Sequence, residues 1–275
     1  MYPVPTSLSP SRVEAFTSCP MAFRFASIEK LPEPPSIHAT KGSMVHRVLE
    51  LLFMRPAAQR TLPNAQPAYE QAMAEYQLDP EFTLLALGAA EHQAFFEDAW
   101  SLVEAYFRME DPTQIREIGL EIRLEAQVGS LSLRGIIDRL ELDNEGGLVV
   151  TDYKTGRAPG PQYQQKSLGG VHFYSLLCEQ VLGQRPSSIR LMYLRTGETI
   201  TATPSAQSVR FITTRTEAVW KAVERACISE ENAFQPRVGP LCKTCAFKPW
   251  CPAFGGDPAL AAVEAPLRFG TPAAA

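Results

Sequence analysis

Residues 148–154 read LVVTDYK, and this short segment places the tightest limit on the fold of the chain. Leu148, Val149 and Val150 form an apolar run whose composition is typical of a buried strand. Because side chains alternate along a strand, Asp152 and Lys154 are predicted to share one face. A salt bridge at a strand edge is the simplest explanation of such a pair. The segment therefore predicts a buried strand that ends in two opposite charges and leaves their role open.

The flanking sequence supplies the rest of a sheet. Two segments within residues 118–142 alternate apolar and polar positions around a turn at Gly129-Ser130, and residues 144–147 turn the chain into LVVTDYK. A helix, two strands and a helix are then predicted at residues 163–182, 189–194, 198–203 and 206–229, with a break in the first helix at Gly169-Gly170. This order predicts an α/β fold with a mixed central sheet flanked by helices.

The N-terminal part of the chain is predicted to be helical. A helix begins near Pro10, a second spans about Gly42 to Met54 and carries His46, and residues 67–110 show helical patterns with a break near Pro80 and no chemical motif. The predicted organisation is N-terminal helices at 1–66, a helical insertion at 67–117, an α/β core at 118–230, a cysteine segment at 231–252 and a mobile alanine- and proline-rich tail at 253–275.

Composition excludes few classes of partner. The 275 residues are 45% hydrophobic, which is enough for a substantial core. A formal net charge of -4 argues against a strongly basic nucleic-acid-binding coat but is compatible with a local basic cleft. The sequence contains no apolar run of 18 residues and no N-terminal pattern of a signal peptide. We therefore expect a soluble cytoplasmic protein with no membrane segment.

Two aspartates are predicted to meet on neighbouring strands. Asp138 is predicted to end the strand that precedes the one carrying Asp152. Two carboxylates at close range repel each other unless a cation lies between them, and oxygen ligands suit Mg²⁺ or Mn²⁺. Lys154 would then hold an attacking water or neutralise charge that grows on a phosphorus centre. The competing explanation is structural, with Asp138 paired to Arg139 or Arg134.

Two further candidates are weak when taken alone. Glu121 alternates with Leu120 and Ile122 on the first predicted strand, a pattern that equally describes a solvent-exposed strand face. His46 has apolar neighbours on its helix, where a single histidine is usually a packed residue with a hydrogen bond. Neither residue by itself indicates a site.

Four cysteines have the spacing of a metal site. Cys242, Cys245 and Cys251 form a C-x2-C-x5-C pattern, Cys19 lies more than 200 residues upstream, and Cys19 and Cys251 each precede a proline. Clustered thiols in a cytoplasmic protein hold a metal more often than they form disulfides. The spacing fits a structural zinc site and an iron–sulfur cluster equally well. The other two cysteines, Cys178 and Cys227, lie on apolar helical faces and are predicted to be buried thiols.

These fragments, in this order, resemble a known enzyme family. Gly42-x-x-x-His46, Gly135-Ile-Ile-Asp138-Arg139 and Asp152-Tyr153-Lys154-Thr155-Gly156 look like the nuclease motifs of the RecB-like branch of the PD-(D/E)XK superfamily. The resemblance implies a restriction-endonuclease-like core and a metal-dependent phosphodiesterase that acts on DNA. It assigns His46, Asp138, Asp152 and the Tyr153 carbonyl as metal ligands, Lys154 as the catalytic lysine, and Glu121 less securely as a further acidic residue.

The sequence departs from the family pattern at one position. Relatives usually carry a glutamine four residues before a tyrosine on the helix that follows the D-x-K strand, a pair thought to position DNA and active-site groups. Tyr174 matches the tyrosine, but Gly170 occupies the glutamine position, and Gln164 and Gln165 lie more than a turn earlier. This departure puts the strength of catalysis in question.

The resemblance also favours iron–sulfur over zinc. One distant N-terminal cysteine and three near the C-terminus look like the staple of AddB-type nucleases, in which a [4Fe–4S] cluster ties the ends of the chain together. The implied function is an exonuclease or single-strand-directed nuclease in DNA repair, recombination or defence, and the alternative is an iron–sulfur protein that binds single-stranded DNA and cleaves it poorly. No phosphate-loop motif is present, so unwinding is expected from a helicase or repair partner. The candidate phosphate contacts are Arg123, Arg134, Arg157, Lys166 and Lys243.

Overall fold

The computed structural model describes residues 1–229 and 233–270, with the backbone alone at residues 165–167. Its helices are α1 Pro10–Ser18, α2 Pro20–Phe23, α3 Ile37–Phe53, α4 Leu62–Gln77, α5 Pro80–Leu84, α6 Ala89–Met109, α7 Pro161–Leu182, α8 Ala206–Ile228 and α9 Ala261–Phe269. Its strands are β1 Arg116–Val128, β2 Leu131–Leu142, β3 Leu148–Lys154, β4 Ser188–Tyr193 and β5 Glu198–Ala202. Among the described residues, no helix combines the length and apolar composition needed to cross a membrane.

Within the described residues the strands form a five-stranded mixed sheet in the order β1-β2-β3-β4-β5. β3 pairs antiparallel with β2 and parallel with β4, so Val150 lies between Leu140 and Ile189. β5 pairs antiparallel with β4 and closes the order. Every residue of β3 except Lys154 is buried, as its apolar composition predicts. The predicted α/β fold with a mixed sheet and flanking helices is confirmed.

The chain divides into two compact units. The site unit comprises residues 35–124 and 136–209, and the cysteine unit comprises residues 1–34, 125–135 and 210 onward. In the site unit, α3 packs against α4 and α6, and one apolar core joins these helices to β3 and β4. The buried side chains of this core include Val45, Leu49, Leu52, Ala68, Ala99, Leu102, Tyr106, Tyr153 and Met192. The motif-free helical stretch therefore packs directly against the helix that carries His46.

The cysteine unit has a smaller core, built around Met21, Phe25, Phe247 and Trp250. α9 contributes to it, because Ala261 and Ala265 are fully buried and the Trp250 indole N–H donates to Glu264 at 2.7 Å. The sequence predicted a mobile tail beyond residue 252, and this was wrong for residues 258–269. An alanine repeat one helical turn apart packs closely against aromatic rings, although its composition looks like that of a linker.

Three further details differ from the sequence-based expectations. α3 begins at Ile37 instead of Gly42, since Ser36 caps it by accepting the Ala39 N–H. α7 runs unbroken through Gly169-Gly170, because buried neighbours such as Phe173 hold the helix despite the low helix propensity of glycine. Asp138 lies in the interior of β2, four residues before its end, and not at a strand terminus.

Candidate active site

Three side chains from different elements of the site unit converge beside β3. They are His46 from α3, Glu121 from β1 and Asp138 from β2, and each offers one ligand atom within 4.8 Å of the others. The His46 Nε2–H donates to the Tyr153 carbonyl at 3.0 Å, which turns Nδ1 toward the Asp138 carboxylate at 3.5 Å. A neutral imidazole nitrogen and a carboxylate both present lone pairs, so this pairing favours a cation between them. The donor set therefore fits a divalent metal ion.

Glu121 reaches this cluster because β1 is irregular there. Its backbone has φ +47°, in the left-handed region that residues other than glycine rarely adopt. The alternation of β1 changes phase at this point: Glu117 is sheltered and Ile118 exposed before it, whereas Arg123 is exposed and Leu124 buried after it. A shift of this kind is the signature of a bulge, which redirects a side chain. Simple alternation in the sequence gives no sign of it.

Burial, with the charge of neighbouring carboxylates, raises the pKa values of Glu121 and Asp138. Burial, together with the nearby Asp138 carboxylate, raises the pKa of Glu121 to about 7. Burial also raises the pKa of Asp138, with a contribution from Asp152, although the His46 ring acts in the opposite direction. Carboxylates that resist ionisation at close range are typical of a site that awaits a cation.

Asp152 and Lys154 form the ion pair that their spacing predicts. The Lys154 Nζ lies 2.5 Å from the Asp152 Oδ2, with the Asp152 side chain 8% exposed and that of Lys154 45% exposed. Burial works against the charge of Lys154, but the Asp152 carboxylate outweighs it and raises the pKa of the lysine. The result is a fixed, accessible ammonium group at the end of β3, two residues from a metal-ligating aspartate candidate.

Tyr174 approaches the same cluster from α7. Burial and the negative charges of Asp152, Asp138 and Glu121 raise its pKa, which keeps the phenol protonated. Gly170 lies one helical turn earlier on the same face, is exposed, and has open space where a Cβ would be. The absence of a side chain at residue 170 is therefore not enforced by packing.

Arg139, the last residue of the second motif, received no role at the site from the sequence. Its guanidinium is fully buried and contacts the carboxylates of Glu110 and Glu141. The structural alternative in which Asp138 pairs with Arg139 is wrong, because adjacent residues of β2 point to opposite faces. Asp138 instead accepts the Tyr153 backbone N–H at 2.7 Å.

Comparison with known proteins identifies the family. The family model described as the PD-(D/E)XK nuclease superfamily matches residues 7–252. The chain belongs to the PD-(D/E)XK nuclease superfamily. This confirms the superfamily that the three motifs predicted. Members of this superfamily use divalent metal ions, in agreement with the ligand cluster of His46, Glu121 and Asp138.

Two individual proteins are similar to this chain. Gene 69 protein of Mycobacterium phage D29 is 27% identical over 176 residues, which are 57% of this chain and 65% of the phage protein. The matched part thus spans less than two thirds of that relative. A crystal structure from Eubacterium rectale of a protein proposed to be an exonuclease superposes with a TM-score of 0.54 at 10% identity and covers 87% of each chain. At that identity the second match supports the fold alone.

The chain brings its four motif cysteines to one pocket in the cysteine unit. Cys19, Cys242, Cys245 and Cys251 line it together with apolar side chains that include Met21, Phe25 and Phe247. Burial raises the pKa of Cys245, and the other three thiols act in the same direction. A hydrogen bond from the Phe247 N–H opposes this shift without reversing it. Backbone N–H groups of Arg237 and Gly239 point at the sulfurs of Cys19 and Cys242, at 3.5 and 3.4 Å. Four thiols, an apolar lining and N–H···S contacts suit a thiolate-bound metal or cluster.

The remaining predicted residues are two cysteines outside the pocket and the candidate phosphate contacts. Cys178 and Cys227 are fully buried, and burial raises the pKa of both thiols, to about 12 for Cys178. This confirms them as buried thiols. Four candidate phosphate contacts are exposed, namely Arg123, Arg134, Arg157 and Lys243, and the side chain of Lys166 lies outside the described residues.

Proposed function

We propose that this chain is an Mg²⁺- or Mn²⁺-dependent deoxyribonuclease of the RecB-like branch that hydrolyses phosphodiester bonds in single-stranded DNA or at DNA ends. The observation that carries the proposal is the convergence of His46, Glu121 and Asp138 within 4.8 Å, beside the ion pair of Asp152 and Lys154. The E. rectale protein of similar fold is itself proposed to be an exonuclease. The three motifs in their chain order supply the RecB-like assignment.

Each proposed residue has a physical role. His46, Glu121, Asp138, Asp152 and the Tyr153 carbonyl are assigned to hold the divalent ion, which supplies positive charge to a phosphate oxygen when bound. The Lys154 ammonium, fixed by Asp152, orients a water for attack and offsets charge that develops on the phosphoryl group. Tyr174, kept protonated by its surroundings, donates a hydrogen bond to substrate. Exposed arginines and lysines are assigned to the phosphate backbone, with affinity that falls as salt rises.

The decisive test compares the wild-type chain with Asp152→Ala on labelled DNA. Wild type with Mn²⁺ is expected to degrade linear single-stranded DNA, and Asp152→Ala is expected to be slower on the order of 10²–10³-fold. Glu125→Gln is a matched control, because Glu125 is an exposed carboxylate on the same strand as Glu121. Circular, 5′-blocked and 3′-blocked substrates, with RNA of the same sequence, report end requirement, direction and sugar preference.

Two outcomes would contradict the proposal. Equal degradation by wild type and Asp152→Ala would indicate a contaminating nuclease. Tight binding of single-stranded DNA without cleavage in either metal would favour the alternative of an iron–sulfur DNA-binding protein. A helicase or repair partner belongs to the proposal and is tested separately, by asking whether duplex DNA is degraded when an unwinding enzyme is added.

We also infer that the four-cysteine pocket holds a [4Fe–4S] cluster. The support is that four thiols from distant parts of the sequence line one apolar pocket and that backbone N–H groups are directed at two of the sulfurs. Anaerobic purification should give a brown protein with about four iron atoms per chain. A colourless protein with one zinc ion would overturn this inference without affecting the nuclease assignment.

A further inference from the structure

The most unusual buried group in the site unit is the guanidinium of Arg139. Its Nη1 and Nη2 donate to the Glu110 carboxylate at 2.5 and 3.1 Å, and its Nε pairs with Glu141 at 2.5 Å. Glu141 in turn pairs with Arg190 at 3.1 Å. Its plane lies over the ring of Phe53 at 4.8 Å. A buried charge cluster of this kind is costly to desolvate, and apolar residues of similar volume often serve stability as well. Its retention calls for a role beyond packing.

The contact that suggests this role is the one to Tyr153. Arg139 Nη1 donates to the Tyr153 hydroxyl at 2.7 Å, and the ring of Tyr153 is 3% exposed. The backbone of the same tyrosine contributes to the candidate metal site. Its N–H donates to Asp138 at 2.7 Å, and its carbonyl accepts from His46 at 3.0 Å. Tyr153 is therefore held at three points, two of them by proposed metal ligands.

The sequence order in β2 makes this arrangement compact. Asp138 and Arg139 are neighbours whose side chains point to opposite faces of β2. Both bind Tyr153, because Asp138 accepts its backbone N–H and Arg139 donates to its hydroxyl. Tyr153 itself lies between Asp152 and Lys154 on β3. A shift of its ring would move the carbonyl that orients His46 and the backbone that carries the ion pair.

We propose that Arg139 is a positioning residue for the metal site and acts through the Tyr153 hydroxyl. The proposal rests on the proposed function, because it concerns the ligands of that same site. Groups that orient metal ligands in this way commonly change metal affinity by 10- to 100-fold when removed. The network would thus set how tightly His46 and Asp138 hold a divalent ion, while the groups that touch substrate stay unchanged.

Tyr153→Phe tests the proposal with the smallest change, since it removes one hydroxyl and keeps the ring and the backbone. Tyr106→Phe is the matched control. Its hydroxyl also accepts from Arg139 Nη1, at 3.3 Å, and its ring packs edge-on against Tyr153, so the change removes an Arg139 contact but keeps the Tyr153 hydroxyl. Mn²⁺ affinity is measured by calorimetry and by electron paramagnetic resonance of free Mn²⁺. Cleavage is measured as a function of Mn²⁺ concentration.

We expect Tyr153→Phe to weaken Mn²⁺ binding at least about tenfold and to regain most of its cleavage rate at saturating Mn²⁺. Tyr106→Phe should bind Mn²⁺ as wild type does, and its melting temperature should change by about as much as that of Tyr153→Phe. Arg139→Lys, which keeps the charge but not the planar donor set, should fall between Tyr153→Phe and wild type. Equal Mn²⁺ affinity in Tyr153→Phe, Tyr106→Phe and wild type overturns the positioning role, even if the wild-type chain proves to be a nuclease. Failure of wild type to bind Mn²⁺ overturns it together with the proposed function, whereas wild-type binding without cleavage contradicts the proposed function alone.

Discussion

At the scale of single residues, the candidate site contains acids whose negative charges repel one another and would be neutralised by a bound cation. Glu121 and Asp138 both have raised pKa values, and His46 turns its second ring nitrogen toward Asp138. The Lys154 ammonium neutralises the Asp152 carboxylate directly. Within the part of the chain that the structure describes, Glu121 has no such ion pair with a lysine or arginine. Repulsion between close carboxylates is an expected property of residues that bind a cation, and it has consequences for stability.

Glu121→Gln should stabilise the metal-free protein at high pH. The folded pKa of about 7 exceeds the ordinary value of 4.5, so the stability linked to protonated Glu121 is fully present below pH 4.5 and is lost as pH rises through 7. Glutamine cannot ionise, and we expect a gain of roughly 1–2 kcal/mol at pH 8 after allowance for partial exposure, with little difference at pH 5. Thermal unfolding in EDTA at both pH values measures the effect.

Glu125→Gln serves as the control for that experiment, because Glu125 is exposed on the same strand. It should follow the wild-type pH dependence. Parallel stability curves for wild type and Glu121→Gln between pH 5 and pH 8 would show that the Glu121 carboxylate is not under stress in the folded chain.

At the scale of elements, the site depends on irregularities in otherwise regular structure. The bulge in β1 directs the Glu121 side chain toward His46 and Asp138, a position that regular alternation along the strand does not predict. On α7, Gly170 lies in a helix interior one turn before Tyr174, at the position where the RecB-like resemblance predicts a glutamine. Because nothing lies within 4 Å of a Cβ built at residue 170, the helix has room for that side chain.

Two substitutions at Gly170 separate helix propensity from function. Gly170→Ala should stabilise the chain by about 1 kcal/mol through helix propensity and leave cleavage unchanged. Gly170→Gln should give a similar stability, and it should raise kcat/KM about tenfold over Gly170→Ala if the amide adds a hydrogen bond in the transition state. Melting temperatures and steady-state cleavage of single-stranded DNA measure the two effects. Identical kinetics for the two variants would mean that the site does not use a glutamine at this position.

At the scale of the whole molecule, residues far apart in sequence are joined in the cysteine unit. Cys19 lies in the same pocket as three cysteines that follow it by more than 220 residues. A link between such distant residues removes much of the conformational entropy of the unfolded chain. The proposed cluster would therefore act mainly on stability and not on the chemistry at His46.

Cys19→Ser should lower the iron content and destabilise the chain by about 5 kcal/mol, the value expected for a closure of this length in the loop-entropy model. Iron analysis and thermal unfolding under anaerobic conditions provide the measurement. Cys227→Ser is the control, since its fully buried thiol lies outside the pocket and its Sγ already donates to the Pro3 carbonyl at 3.6 Å. Full iron content and an unchanged melting temperature in Cys19→Ser would exclude Cys19 as a ligand.

The sequence by itself determined the local features of this protein. Apolar composition predicted the buried strand β3, and the order of strands and helices predicted the mixed sheet. The spacing of Asp152 and Lys154 predicted their ion pair. These features could be predicted because they depend on residues a few positions apart, whose geometry is fixed by secondary structure. The motif order likewise sufficed to predict the superfamily.

Tertiary structure alone decided which distant groups meet. It excluded the alternative pairing of Asp138 with Arg139 and placed Arg139 in a buried charge cluster. It also brought Glu121 to His46 through a bulge and folded part of an expected tail as α9. Each outcome depends on packing and charge compensation between elements separated by many residues. Local propensity carries no information about such contacts, because the free energy that selects them arises when the elements pack together.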